Sequence, residues 1–364
     1  MSALPSRPDP AITRLIGEAD YFRRAPPGPA GRSFKEWQHF LVLAPGLDLL
    51  VNFSISSISS ISSISGIPED RGSSPGAHGR VIILAYDGQW SGSVEQCPAG
   101  SFTAPSGRLA ARFAASRMDF IDGRYHLEFR GDGRHAISGQ LVCTPQVLPA
   151  LSHNIHLADH ASLSWLMLPR LIVSGHVEIG GRRHALIDVP AYHDHNWGSF
   201  RWGDDFAWEW GCGLPDLPDR TDHAWSLIHV RMADRARLRV HSQGLFLWRG
   251  REHHRFFRDD ELRVTLRGTA DVHEVFKLPS VLAVLAPDRH CDVPAEIEVE
   301  ASGDGDRVHM TFTPRAVAQV LIPDETRDDR LVVLNEACGD LRLEGTIRGE
   351  AVTMAGRGVF EFIR

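Results

Sequence analysis

The 364-residue chain is 43% hydrophobic and 23% charged, with 33 glycines and 22 prolines, the balance of a soluble, turn-rich globular protein long enough for two domains. Its formal net charge of -7 leaves no basic excess to neutralise phosphates, so a nucleic-acid partner is not expected. The five cysteines (Cys97, Cys143, Cys212, Cys291 and Cys338) are odd in number and lack any CxxC pair, which argues against a disulfide framework or a structural zinc site and suits a reducing cytoplasm.

Lysine occurs only at Lys35 and Lys277, so a Schiff-base lysine is not expected. The opening MSALPSRPDP has no apolar core for a signal peptide, and the apolar runs near 163–169 and 278–287 are too short to span a bilayer. The expected location is cytoplasmic. Peripheral membrane contact stays open, because an apolar substrate would have to come from somewhere.

In chain order, residues 9–24 read as a helix, with Asp9 as cap, Pro10 in the first helical position and Ile12, Leu15 and Ile16 as a short apolar stripe. Residues 1–30 are thus an N-terminal helical extension. After a strand around Leu49–Phe53 comes the tract SISSISSISSIS at 54–65, whose period of three suits neither strand nor helix. Residues 54–79 are assigned to an insertion loop; a flap over an apolar cavity is the functional alternative.

Beyond the helix the dominant period is two. Tyr125, Leu127 and Phe129 alternate with charged neighbours, as do Leu262, Val264 and Leu266, and Val308, Met310 and Phe312. Such alternation marks antiparallel strands with one wet face. Asp122-Gly123, Gly180-Gly181 and Gly303-Asp304-Gly305-Asp306 provide the hairpin turns. The fold class is all-β. A closing hairpin at Ser174–Gly181, leading into the next strand, is echoed by Glu344–Gly349, which suggests duplication. The expected domains are 31–200 and 201–364.

The densest chemistry is Tyr192-His193-Asp194-His195-Asn196-Trp197-Gly198, after which Trp202, Trp208, Trp210 and Trp225 bring five of the nine tryptophans into 197–225. On an extended strand His193, His195 and Trp197 share one face, with Tyr192, Asp194 and Asn196 on the other; Phe206, Trp208 and Trp210 likewise oppose Glu209. Burial keeps a carboxyl protonated, and aromatic faces stabilise cations by about 0.5–2 kcal/mol each. Those are the means to protonate an unsaturated apolar substrate. Asp194 is the first candidate acid and Glu209 the second. His193 or His195 would position water or take the final proton, while Tyr192 and Asn196 supply hydrogen bonds. Trp197, Trp202, Phe206, Trp208, Trp210 and Trp37 are candidate substrate-binding walls. For any single tryptophan, plain core packing is the bland alternative. His193-x-His195 with His223 or His229 is an alternative metal set, though no metal is assigned. The chain has no P-loop, HExxH, or GxGxxG opening a helix after a strand, and no cofactor is assigned.

YHDHNWG at 192–198, with FAWEWG at 206–211, resembles the carotenoid 1,2-hydratase (hydroxyneurosporene synthase) and AttH-like group, to which natural-product Diels-Alderases look related. Phe34-Lys35-Glu36-Trp37 resembles the opening strand of that group's first domain. The resemblance implies two consecutive lipocalin-like β-barrel domains, with Asp194 at the position of the proposed proton donor. The implied activity is a cofactor-independent hydratase or cyclase acting on an apolar polyene or isoprenoid in an aromatic-lined cavity between the domains. The alternatives are a pericyclic cyclase and a non-enzymatic carrier of hydrophobic small molecules.

Overall fold

The computed structural model describes residues 8–57, 77–132, 136–158, 161–215, 224–272, 275–284, 286 and 291–363. Helix α1 (Pro10–Ala19) begins as its cap signals require: the Asp9 carboxylate accepts from the Ala11 and Ile12 amides, and Ile12 and Ile16 are buried. It ends five residues before the expected position. Asp20 leaves helical geometry at φ -101°, ψ 83°, and its side chain turns into the protein to meet partners from three strands.

The first sheet contains β1 (Phe34–Ala44), β2 (Leu47–Ser56), β3 (His78–Tyr86), β4 (Trp90–Cys97), β5 (Phe102–Thr103), β6 (Ala110–Phe113), β7 (Ser116–Ile121), β8 (Arg124–Gly131), β9 (Ile137–Pro145), β10 (Ala150–Ala158), β11 (Ala161–Ile179) and β12 (Arg182–Ser199). The second contains β13 (Ala207–Pro215), β14 (Trp225–Ala233), β15 (Val240–Arg249), β16 (Glu252–Arg258), β17 (Leu262–Arg267), β18 (Phe276–Leu278), β19 (Glu296–Gly303), β20 (Asp306–Pro323), β21 (Leu331–Ile347) and β22 (Glu350–Ile363). Strand β18 pairs parallel with β20, which is itself antiparallel to β19 and β21. This is a tandem, lipocalin-like all-β architecture with a short N-terminal helix.

By compactness the chain divides into residues 1–155 with 160–201, and residues 156–159 with 202–364. The two units repeat one strand order. In the first, β4-β3-β2-β1-β12-β11-β9-β8-β7 are neighbours; in the second, β16-β15-β14-β13-β22-β21-β20-β19-β17. Each sheet curls until distant strands meet. Tyr125 of β8 lies 4.7 Å, ring to ring, from His193 of β12, and Arg255 of β16 reaches Asp306 of β20 at 3.1 Å. Leu227, Leu247, Phe257, Val299, Phe312 and Phe360 fill the second curl. The five cysteines are buried and unbridged.

The Ser/Ile tract starts inside a strand rather than in a loop. Ser54, Ile55 and Ser56 of β2 pair with Arg80, Gly79 and His78 of β3, because β-branched Ile55 extends a ladder that the backbone can complete. The remainder of the tract, 58–76, with the flap reading that falls on it, lies outside the described residues. Among the described residues no helix is long and apolar enough to cross a membrane.

Candidate functional site

Strand β12 lies between β1 and β11, and from Pro190 to Trp197 it is buried on both faces. Its alternation therefore places two polar sets in two separate environments.

The inner face carries His193, His195 and Trp197. Asp20, fully buried at the end of α1, joins them. Its Oδ1 accepts from Gln38 Nε2 at 3.0 Å and lies 2.8 Å from His195 Nδ1. Its Oδ2 accepts from the Tyr125 hydroxyl at 2.5 Å and lies 3.1 Å from His193 Nε2. His193 Nδ1 donates to the His39 carbonyl at 2.9 Å, and His195 Nε2 reaches Glu36 Oε1 at 2.8 Å. Both Glu36 oxygens accept the Arg23 amide, at 2.9 and 3.0 Å. Every nitrogen of the two imidazoles is thus engaged by an oxygen of this network.

Burial would discharge the His195 ring, but hydrogen bonds and charge from Asp20 and Glu36 outweigh it and raise the pKa above the ordinary value. For Asp20 burial acts in the opposite direction, upward, yet the hydrogen bonds and charges of His193 and His195 hold the carboxyl well below the usual range. The ensemble is an internal salt-bridge network whose stability depends on each member being paired.

The network borders a cleft of about 540 Å³ in the first unit. Arg23 and Trp197 both line it, with the guanidinium carbon 3.2 Å from the indole centroid. Arg23 Nη1 also lies 3.4 Å from His195 Nδ1. Arg23 and Trp197, whose ring lies 5.0 Å from that of His195, therefore stand between the cleft and the buried imidazole.

The other face carries Tyr192, Asp194 and Asn196. The Tyr192 hydroxyl donates to Asp194 Oδ2 and the Asn196 amide to Asp194 Oδ1, both at 2.7 Å. Directly across the ladders stand His39 and Trp37 of β1, and Met167 and Trp165 of β11. Burial, with the charge of His193, lowers the His39 pKa to about 3, so this ring is neutral near pH 7. Asn52 Nδ2 lies 3.4 Å from its Nδ1.

The residues singled out in the sequence therefore do not converge on one point. His193 and His195 point away from Asp194, and their ring nitrogens are spent on Asp20, Glu36 and the His39 carbonyl. The imidazole on the Asp194 face is His39. Trp37 sits on the Asp194 face, with its ring 6.2 Å from Phe200. In the second unit Trp202, Phe206 and Trp208 pack on one another, with Phe206 stacked on Trp208 at 5.5 Å. Glu209 projects to the opposite side from Trp208 and Trp210, paired with Arg231 at 3.1 Å and Arg237 at 3.3 Å. His229 is fully buried beside Phe360, 6.1 Å ring to ring, while His223 lies outside the described residues. No group of three or more His, Cys, Asp or Glu among the described residues is arranged to hold a metal ion.

Asp20, Arg23, Gln38 and His39 carried no motif, while Tyr125 read only as a strand residue and Glu36 only as part of an opening strand. One signal existed for Glu36. The pair Glu36-Trp37 recurs as Glu209-Trp210, and the two pairs occupy equivalent register: Glu36 lies across from Trp197, and Glu209 across from Phe362. In each unit an arginine reaches the glutamate and the aromatic residue across from it: Arg23 meets Glu36 and Trp197, and Arg237 meets Glu209 and Phe362.

A repeated β-unit of this order, closed in the first unit by a long hairpin that bears the YHDHNWG strand, defines a tandem lipocalin-like fold. Known structures give it particular form. An AttH-type protein from Nitrosomonas europaea superposes with a TM-score of 0.60 at 14% identity, covering 100% of this chain and 98% of that one. Kievitone hydratase from Nectria haematococca gives 0.55 at 10% identity over 90% of this chain and 88% of its own. CghA gives 0.59 at 12% identity over 91% and 88%. No family profile and no curated protein matches the sequence.

Proposed function

We propose that this protein is a hydratase or cyclase that acts, without a cofactor, on an apolar polyene or isoprenoid by protonating a carbon–carbon double bond. The observation that carries the reading is Asp194, a carboxyl buried to 4% exposure, positioned through both oxygens by Tyr192 and Asn196 on a strand face shared with Trp37, Trp165 and a neutral imidazole. The Asp194 hydroxyl gives its proton to one alkene carbon, leaving a cation at the more substituted one. Indole faces stabilise that charge where water is excluded. In hydration a water oxygen then bonds to the cation, and the water's surplus proton passes to His39 and from there back to Asp194. In cyclisation a second double bond closes on the cation, and a neighbouring C–H proton leaves to the same base. The shared fold supports this reading, since its neighbours include a hydratase and a Diels-Alder cyclase.

CghA favours a second reading, in which the protein holds a polyene in the geometry of a pericyclic closure and transfers no proton. The same experiment decides between the two. Turnover of a polyene and isoprenoid panel in deuterium oxide is expected to place one deuterium per product at carbon, and Asp194→Asn should lower the rate by about 10³-fold. Unlabelled product would favour the pericyclic reading. Full turnover by Asp194→Asn would remove Asp194 from the chemistry.

A further inference from the structure

The cleft on the inner side of β12 is chemically unlike the face that bears Asp194. Its lining includes Arg23 and Arg24, the hydroxyls of Ser106, Ser162 and Ser199, and the indole of Trp197, with no carboxylate among the lining residues. Behind it, Glu36 pairs with Arg23 at 3.7 Å, which leaves the charge of Arg24 unmatched among the described residues. Arg24 is exposed and has no hydrogen bond or ion pair with the described residues. Arg23 is fixed from behind, where Nη1 donates to the Tyr21 carbonyl and Nη2 to the Ala19 carbonyl, both at 2.9 Å. It therefore presents a preorganised planar cation.

From this we infer that the cleft is a binding site for a small organic anion, a carboxylate or a phosphate ester, whose charged head meets Arg23 and Arg24 and whose polar body meets the serine hydroxyls. With Nη1 and Nη2 of Arg23 each already donating to a backbone carbonyl, Arg23 contributes mainly fixed positive charge, and the exposed guanidinium of Arg24 is the one that can fork onto two oxygens. A volume of about 540 Å³ accommodates a ligand of modest size. The site lies on the opposite side of β12 from Asp194 and goes beyond the proposed reaction. Its occupancy would be felt by the buried network, because Arg23 also borders His195 and Glu36.

Calorimetric titration of the full chain with sodium benzoate and with inorganic phosphate, in a constant chloride background, tests the site and separates the two head groups. At least one probe should bind saturably with one-to-one stoichiometry. Arg24→Glu and Ser106→Glu each place a carboxylate in the cleft from a position that needs no repacking, and each should weaken binding at least tenfold. Asp194→Asn should bind as the parent does. The inference fails if neither probe saturates by 10 mM, or if both acidic variants bind as tightly as the parent while circular dichroism shows them folded.

Discussion

Asp20 shows how much one side chain can hold in place. Its two oxygens serve Gln38, Tyr125, His193 and His195, which come from β1, β8 and β12, so the carboxylate ties helix α1 to three strands at once. A charge buried in this way gains little over an apolar substitute of the same shape, but losing one partner strands the others without water. Asp20→Asn keeps the shape but turns one acceptor into a donor and removes the charge, and it should cost about 3–5 kcal/mol in urea unfolding. The exposed pair Arg263–Glu300, at 3.7 Å with side chains 80% and 56% exposed, provides the contrast. Arg263→Ala should stay within about 0.5 kcal/mol of the parent in the same assay. Equal effects from the two variants would mean that the inner network is no more than a surface ion pair.

At the scale of elements, two glycines explain the echo between the closing hairpins. Gly175 of β11 has φ +149° and Gly345 of β21 has φ +156°. An added Cβ would lie 2.0 Å from the Gln140 carbonyl oxygen at the first and 2.2 Å from that of Arg307 at the second. Backbone cannot yield as a side-chain tip can. Gly175→Ala and Gly345→Ala should therefore each destabilise their own unit by about 2 kcal/mol or more, read as a lowered unfolding midpoint. The alternation at Tyr125–Phe129 and Val308–Phe312 made the strands legible, because a half-buried strand writes its two faces directly into the chain. The YHDHNWG segment was legible as a strand bearing polar side chains on both faces. Its partners were not. Asp20 sits in an irregular turn 173 residues from His193, and no local pattern records such a meeting. The helix was read to 24 because an apolar stripe cannot reveal that Asp20 must leave it to become an internal ligand.

For the whole molecule, buried histidines of opposite behaviour shape the response to pH. Burial, joined by the charge of His193 for His39 and of Arg231 for His229, holds both rings at about 3; the Gly244 backbone offsets the His229 shift only in part. Between about pH 6.5 and 3 the unfolded chain takes up protons that these native rings refuse, so stability falls as the pH drops through that window. His195 behaves in reverse. Its raised value makes its contribution complete below the unfolded pKa and lost as the pH rises through the folded one. The two effects set a stability maximum near neutrality. His229→Leu replaces a ring that stacks on Phe360 with an apolar side chain, and it should remove one proton from the acid limb. The slope of unfolding free energy between pH 6 and 4 should then flatten by about 1.4 kcal/mol per pH unit. His195→Gln should leave that limb intact and instead flatten the decline on the alkaline side. If both variants keep the parent's slopes, the buried rings are not the groups that link folding to protons.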